Sequence, residues 1–132
     1  MSPEYFNNAP MPFAKLLGIT VKKSDPEWVE GEMTVNNELC TSGQILHGGA
    51  IMAFADTLGA IATVINLPDE AKGTATIESK TNFFRAAQIG EKLIGRTTPL
   101  HRGKTTQVWQ TTIESEAGKS IAIVTQTQIV LK

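Results

Sequence analysis

The sequence predicts an α+β domain in which a curved antiparallel sheet of about six strands wraps around one long central helix. The apolar stretch at residues 45–67 is long enough to be a helix, and the shorter stretches on both sides alternate apolar and polar residues as strands do. A helix that is apolar almost all round must be covered, because each exposed apolar face forgoes roughly 25 cal/mol per Å² of burial. Strands are the only material in the 132 residues that could cover it.

The N-terminal region is predicted to contain a short helix and a hairpin. Two prolines and an apolar run at residues 10–17 indicate the helix, and Gly18 ends it, because glycine is the usual residue just past a helix C-terminus. Residues 18–23 and 28–35 then alternate apolar and polar side chains. Residues 24–26 between them, Ser-Asp-Pro, are typical turn formers, so the two segments should pair.

The rest of the chain is predicted as a polar loop, the long helix and four further strands. The loop covers residues 36–43, and Pro68 closes the helix. Gly90, Gly103 and Gly118 mark the turns before the last three strands. The predicted strands cover residues 73–84, 92–100, 104–115 and 120–131. Because no linker or repeat interrupts them, residues 1–132 are expected to form a single domain.

Composition excludes several classes of function. A net charge of -1 offers no basic surface for a phosphate backbone, so nucleic acid is not expected as a partner. The single cysteine, Cys40, can form neither an intramolecular disulfide nor a cysteine-based zinc site. The first 18 residues contain Glu4 and no signal-like apolar run, which predicts a cytoplasmic protein. Asp56 in the middle of the apolar helix favours a buried helix over a membrane span, so no membrane partner is expected.

One short segment carries most of the chemical signal. His47, Gly48 and Gly49 stand near the start of the long helix, where free N–H groups favour an anion or a developing oxyanion. Asp56 follows His47 by nine residues, or about two and a half helical turns, so the two side chains face opposite ways. Since one helix cannot bring both groups to one substrate, the site is predicted to lie between two identical subunits.

Residues 43–56, with His-Gly-Gly followed by an acid, resemble the signature of the hotdog-fold thioesterases, and specifically of their PaaI-like branch. The order of predicted helices and strands is similar to that family over nearly the whole chain. The resemblance implies hydrolysis of acyl-coenzyme A thioesters, with no metal or redox cofactor and with coenzyme A entering only as part of the substrate. It also implies a homodimer or a homotetramer.

The same resemblance implies roles for single residues. Asp56 matches the family's carboxylate, which acts as general base on water or as nucleophile on the thioester carbonyl. Gly48 matches the glycine whose N–H polarises that carbonyl, and His47 matches the histidine that helps to hold the thioester. Thr76 lies about where the family often has a Ser or Thr that orients the attacking water.

Substrate contacts are expected from several further segments. The family usually has Asn or Gln six residues before the histidine, where this chain has Thr41, and Gln44 is a conceivable substitute. The turn at residues 101–104 corresponds to a region that commonly contacts the coenzyme A phosphates. Two phenylalanines could either line an acyl pocket or pack in the dimer. The predicted contacts are Thr41, Gln44, Gly49, Phe83, Phe84, Arg102, Gly103 and Lys104.

Other interpretations compete with this hypothesis. A hotdog hydratase or dehydratase acting on enoyl or 3-hydroxyacyl thioesters also pairs a histidine with an acid, and a non-catalytic acyl-coenzyme A binding module could share the fold. Asp56 could be a structural acceptor, although an unpaired charge in an apolar helix is costly and favours a function. His47 could serve only as a helix cap, and Thr76 could be an ordinary strand residue.

Overall fold

The computed structural model describes residues 1–132, which form three α-helices and six β-strands. The helices are α1 (Pro3–Asn8), α2 (Pro12–Leu17) and α3 (Gly48–Ile65). The strands are β1 (Thr20–Asp25), β2 (Trp28–Thr34), β3 (Gly73–Phe83), β4 (Lys92–Arg102), β5 (Thr106–Ser115) and β6 (Ser120–Leu131). A short 3-10 turn, Asn37–Leu39, lies in the loop before α3.

The six strands form one curved antiparallel sheet in the order β1-β2-β4-β5-β6-β3. Helix α3 packs against its inner face, where Phe54 and Leu58 join Trp109 of β5 in a single apolar core. The predicted fold class is therefore confirmed, with six strands and one long central helix. Strands β1 and β3 occupy the two edges of the sheet, so each has one side without a strand neighbour.

Two glycines on neighbouring strands allow α3 to lie close to the sheet. Gly31 on β2 and Gly95 on β4 face each other in the sheet register. A Cβ atom built on Gly31 or Gly95 would lie 2.7 Å or 2.6 Å, respectively, from a methyl carbon of Leu58, which is fully buried. Larger residues at these positions would push the helix away, so the two glycines set the distance between helix and sheet.

The predicted N-terminal helix corresponds to α2, and Gly18 ends it as expected. Gly18 has a φ of 73°, in the left-handed region that glycine adopts without strain. Helix α1 lies outside the predicted elements, although its start has a recognisable signal. The Ser2 hydroxyl accepts a hydrogen bond from the Tyr5 N–H, and Pro3 occupies the first helical position, where proline is favoured.

Helix α3 is shorter than the apolar run that predicts it. Ile45 and Leu46 are extended, because the Leu46 N–H donates to the Ala87 carbonyl at 2.9 Å instead of entering a helix. The helix begins at Gly48 and ends at Ile65, so the predicted range of 45–67 is wrong at both ends. An apolar run alone does not distinguish buried extended chain from helix. By length and composition α3 could cross a membrane, but 56% of it is buried within the fold, as a core helix would be.

The turn predicted at residues 101–104 is displaced along the chain. Strand β4 continues to Arg102 and β5 begins at Thr106, so the connection consists of residues 103–105. The predicted strand limits of 100 and 104 are therefore wrong. Arg102 consequently lies at the end of a strand and not in the turn, so the pleat of the sheet determines the direction of its side chain.

Candidate active site

The Asp56 carboxylate on α3 is held by side chains from two strands of the sheet. The Thr76 hydroxyl on β3 donates to Oδ1 at 2.6 Å, and the Gln126 Nε2 on β6 donates to the same oxygen at 3.4 Å. The other oxygen, Oδ2, has no hydrogen-bond or ion-pair partner in the chain. One carboxylate oxygen is thus held by the sheet, and the other is free to act on a ligand.

These contacts make the surroundings of Asp56 more polar than the sequence predicts. Asp56 is half-buried, and two buried glutamines, Gln126 and Gln128 on β6, lie nearby. The Gln128 Nε2 donates to the Thr76 Oγ1 at 2.7 Å. Neither glutamine is among the predicted site residues. A signal was available, because glutamine occupies positions on the face of β6 that otherwise carries buried apolar residues such as Val124.

His47 caps the N-terminus of α3. Its Nδ1 accepts a hydrogen bond from the Gly49 N–H at 2.7 Å. A ring nitrogen that accepts carries no proton, so the neutral imidazole bears its hydrogen on Nε2. The Gly49 N–H is engaged within the chain, whereas the Gly48 N–H donates to no acceptor. Of the two predicted glycine amides, only that of Gly48 is free for a ligand.

An apolar cavity opens beside this free amide. Its volume is about 340 Å³, and Leu46, Ile51, Phe83 and Phe84 line it together with Gly48. The Phe83 ring lies against Gly48, since a Cβ atom built on Gly48 would come within 3.2 Å of the ring. A cavity of this kind suits an apolar group attached to a carbonyl that the Gly48 N–H could bind.

The free amide and the free carboxylate oxygen do not meet within one chain. Gly48 and Asp56 are eight residues apart on α3. At a rise of about 1.5 Å per residue they lie about 12 Å apart along the helix axis. Asp56 is also absent from the lining of the cavity beside Gly48. One protomer therefore carries the two halves of the predicted site at separate places.

Comparison with known proteins identifies the family. A profile described as the thioesterase superfamily matches residues 43–122, more than half of the chain. The chain belongs to the thioesterase superfamily. A thioesterase relative, the proofreading thioesterase EntH of Klebsiella pneumoniae, is 31% identical over 103 residues, which are 78% of this chain and 74% of that one. The 1,4-dihydroxy-2-naphthoyl-CoA thioesterase 2 of Arabidopsis thaliana is 28% identical over 83% of this chain and 66% of its own length.

Solved structures of a thioesterase and of the PaaI protein share the fold. A thioesterase from Haemophilus influenzae matches with a TM-score of 0.91 at 28% identity, covering 100% of this chain and 92% of that one. The PaaI protein of the E. coli phenylacetic acid degradation operon shows the same fold, with a TM-score of 0.88 at 23% identity and coverage of 98% and 91%. The chain therefore has the hotdog fold that PaaI and the Haemophilus thioesterase share, and as a member of the thioesterase superfamily it is a thioester hydrolase.

Two predicted contacts of this thioesterase lie in the loop before α3. The Thr41 N–H donates to the Ile45 carbonyl at 2.8 Å, and the Thr41 side chain is exposed. Gln44 has a φ of 60°, which lies in the left-handed region. This conformation costs free energy in any residue other than glycine. Neither residue lines the cavity beside Gly48, so one protomer does not bring them to the free amide.

The predicted phosphate-binding turn of the thioesterase is partly engaged within the chain. The Arg102 Nη1 donates to the Glu27 Oε1 at 2.8 Å. The Gly103 N–H donates to the Thr106 carbonyl at 2.9 Å and closes the turn. Of the three predicted contacts there, only the Lys104 ammonium has neither a hydrogen bond nor an ion pair.

Proposed function

We propose that this thioesterase hydrolyses acyl-coenzyme A esters at a site formed by two copies of the chain. The Gly48 N–H of one copy polarises the thioester carbonyl, and Asp56 of the other copy drives the attack of water. The observation that carries the proposal is that a free amide and a free carboxylate oxygen belong to residues about 12 Å apart along the axis of one helix. One thioester carbonyl cannot bridge that distance, whereas two helices side by side can place the groups together. The Arabidopsis relative, a thioesterase of a coenzyme A ester, supports a coenzyme A ester as substrate.

The edge strand β3 supports pairing of two copies. It is 11 residues long, its outer side has no partner in the chain, and its Ile77 and Phe83 side chains are 58% and 52% exposed. A long edge strand with exposed apolar side chains is a template for pairing with another strand. Thr76 on this strand binds Asp56, so the carboxylate lies next to the proposed seam. We propose a homodimer as the working unit and a homotetramer built from two such dimers.

Hydrolysis follows from these groups in two steps. The Gly48 N–H stabilises the negative charge that develops on the carbonyl oxygen as water attacks. Asp56 Oδ2 accepts the proton of that water while the C–O bond forms. Collapse of the tetrahedral intermediate breaks the C–S bond, and the proton passes to the leaving thiolate. In the alternative route Asp56 itself attacks the carbonyl, and the C–S bond breaks to release the coenzyme A thiolate and leave a mixed anhydride on Asp56. Water then cleaves the anhydride to the same acid and the Asp56 carboxylate, and the proton released goes to the thiolate.

The remaining groups hold the substrate in this proposal. His47 fixes the first turn of α3 through Nδ1, which leaves its Nε2–H to donate to the thioester. The acyl group would lie in the cavity beside Gly48, against Phe83 and Phe84. Thr41 and Gln44 would reach the carbonyl only from the loop of a partner copy. The Thr76 hydroxyl holds the Asp56 oxygen that does not react.

We place the coenzyme A phosphates near Arg85, between two cavities. Arg85 has no hydrogen-bond or ion-pair partner for its guanidinium, and it lines both the cavity beside Gly48 and a polar cleft of about 740 Å³. The cleft also contains Lys119, whose ammonium is likewise unpaired. Free cations of this kind attract phosphate more strongly than Arg102, whose guanidinium already binds a carboxylate.

Replacing Arg85 by glutamine is expected to raise KM for an acyl-coenzyme A ester about tenfold with little change in kcat, because binding is lost equally in ground and transition states. The same acyl group on N-acetylcysteamine, which lacks the phosphates, should show an unchanged KM. Lys104→Gln is the matched control at the turn. A rise in KM with Lys104→Gln and none with Arg85→Gln would place the phosphates at the turn instead.

The proposed chemistry needs neither a metal nor a redox cofactor, because a carboxylate and an amide N–H suffice for attack by water. No group of three or more His, Cys, Asp or Glu side chains in the chain could hold a metal ion. Cys40 is a free thiol, which a reducing compartment preserves. We therefore propose that the enzyme acts in the cytoplasm.

The proposed function is tested by release of free thiol from short, medium and aromatic acyl-coenzyme A esters. Hydration of an enoyl-coenzyme A ester and equilibrium binding of the same esters are measured in parallel. Catalytic thiol release without hydration supports the proposal. Hydration without thiol release would indicate a hydratase, and tight binding with neither reaction would indicate a binding module.

A further inference from the structure

Two side chains that would not touch the substrate are connected to Asp56 through Thr76. We propose that Gln128 is a positioning residue that sets the direction of the Thr76 hydroxyl, so that one Asp56 oxygen is held and the other is free to react. Thr74 completes this hydrogen-bonded chain at its far end. The inference rests on the proposed function, since it concerns the same carboxylate.

The chain of hydrogen bonds connects the paired strands β3 and β6. The Thr74 hydroxyl lies 3.0 Å from the Gln128 Oε1 and 2.8 Å from the Ile129 carbonyl oxygen. The Gln128 Nε2 donates to the Thr76 Oγ1 at 2.7 Å, and the Thr76 hydroxyl donates to the Asp56 Oδ1 at 2.6 Å. Gln128 is 1% exposed, so bulk water does not compete for its bonds.

The direction of each bond follows from the chemistry of the groups. An ionised carboxylate can only accept, so the Thr76 hydroxyl gives its single proton to Asp56. The Thr76 oxygen then offers only lone pairs to Gln128, which fixes the NH₂ group of the amide on that side. The amide oxygen of Gln128 consequently faces Thr74, whose hydroxyl can donate. By donating to a lone pair of the Thr76 oxygen, Gln128 adds a second restraint that holds the hydroxyl in the orientation in which its proton points at Asp56.

The result is a carboxylate with two unlike oxygens. Oδ1 accepts from both Thr76 and Gln126, while Oδ2 has no partner. The Gln126 amide packs against α3 at Gly59, where a side chain would collide with it. Both donors restrain rotation of the carboxylate, so Oδ2 keeps one orientation and presents its lone pairs to the attacking water.

A neighbouring glutamine shows that burial alone does not create this role. Gln107 on β5 is paired with Gln128 in the sheet register and is 0% exposed. Its amide accepts from the Trp109 indole N–H at 3.0 Å and donates to the Asn66 carbonyl at 3.1 Å, and it makes no hydrogen bond to Asp56. Gln107 therefore provides a matched control, with the same residue type and burial on an adjacent strand.

Replacing Gln128 by methionine keeps the side-chain length and removes both amide hydrogen bonds. We expect kcat to fall about tenfold with KM changed less than about twofold, because substrate binding is untouched while the carboxylate is less well oriented. Gln107→Met should lower the temperature of thermal unfolding but leave kcat within about twofold of wild type. Equal losses of kcat in the two variants would reduce Gln128 to a structural role and overturn the inference.

A double-mutant cycle tests the connection through Thr76. Thr76→Val should lower kcat at least as much as Gln128→Met, and the combined variant should be no slower than Thr76→Val, because both act through one chain. If the decrease in log kcat of the combined variant equalled the sum of the decreases in the two single variants, the two residues would act independently and the connection through Thr76 would be contradicted. Should Gln128→Met fail to fold, Thr74→Val at a partly exposed position is expected to lower kcat about threefold with KM unchanged. An unchanged kcat in Thr74→Val would overturn the inference in that case.

Failure of this inference can be distinguished from failure of the proposed function. If Asp56→Asn keeps wild-type hydrolysis, the assignment of the carboxylate is wrong and the function must be revised. If Asp56→Asn is inactive while Gln128→Met keeps wild-type kcat, only the positioning role of Gln128 is rejected.

Discussion

Replacing Asp56 by asparagine is expected to lower kcat for acyl-coenzyme A hydrolysis by about a hundredfold or more, the range that loss of a general base produces. Asparagine has the same shape, and its amide oxygen can still accept from the Thr76 hydroxyl. The position of Oδ2 would then be taken by an NH₂ group, which can neither accept a proton from water nor attack a carbonyl. Thiol release under saturating substrate measures the loss.

The control for this experiment is Asp69→Asn, which changes an exposed carboxylate in the turn after α3. It should leave kcat unchanged, because Asp69 is exposed, makes no hydrogen bond to Asp56 or Thr76, and does not line the cavity beside Gly48. Thermal unfolding of Asp56→Asn should stay close to that of wild type, since the hydrogen bond to Thr76 is kept. Wild-type turnover by Asp56→Asn would remove this carboxylate from the mechanism.

Replacing Gly48 by proline is expected to lower kcat by a comparable factor of about 100, as removal of one oxyanion donor does. Gly48 is the first residue of α3, where proline is favoured, so the substitution removes the N–H at little cost to the helix. His47 before it has φ -63° and ψ 134°, which a following proline accepts. Gly48→Ala is the control, because its Cβ meets the same Phe83 ring while the backbone N–H is kept. The ratio of the kcat values of the two variants therefore measures the contribution of the N–H donor without the effect of the added side chain.

Mixing these two inactive variants tests whether the site is shared. When Asp56→Asn and Gly48→Pro chains are refolded together, about half of the dimers formed at random contain one chain of each kind. In such a dimer one of the two sites combines an intact Gly48 with an intact Asp56, so about one quarter of the wild-type activity should return. No recovery, in a sample shown to contain mixed dimers, would place both groups of each site in one chain.

The sequence predicts the fold and the central helix because these depend on local patterns. The apolar run around Asp56 and the alternation in the strands indicate their elements directly. The same run misplaces Ile45, because an apolar residue in extended chain and one in a helix look alike in sequence. The hydrogen bond from Gln128 to Thr76 joins residues 52 positions apart and depends on β6 lying beside β3. No local pattern specifies that strand order.

The glycine pair beneath α3 has a consequence for substrate choice. Gly31 and Gly95 already bring Leu58 down to the sheet surface, so the helix cannot settle deeper to enlarge the space for a bulkier acyl chain. A bulkier acyl chain can be accommodated only by movement of Phe83 and Phe84, which are 52% and 56% exposed and have room to rotate. Redesign of chain-length preference should therefore change these two aromatic side chains and leave the rigid scaffold beneath them intact.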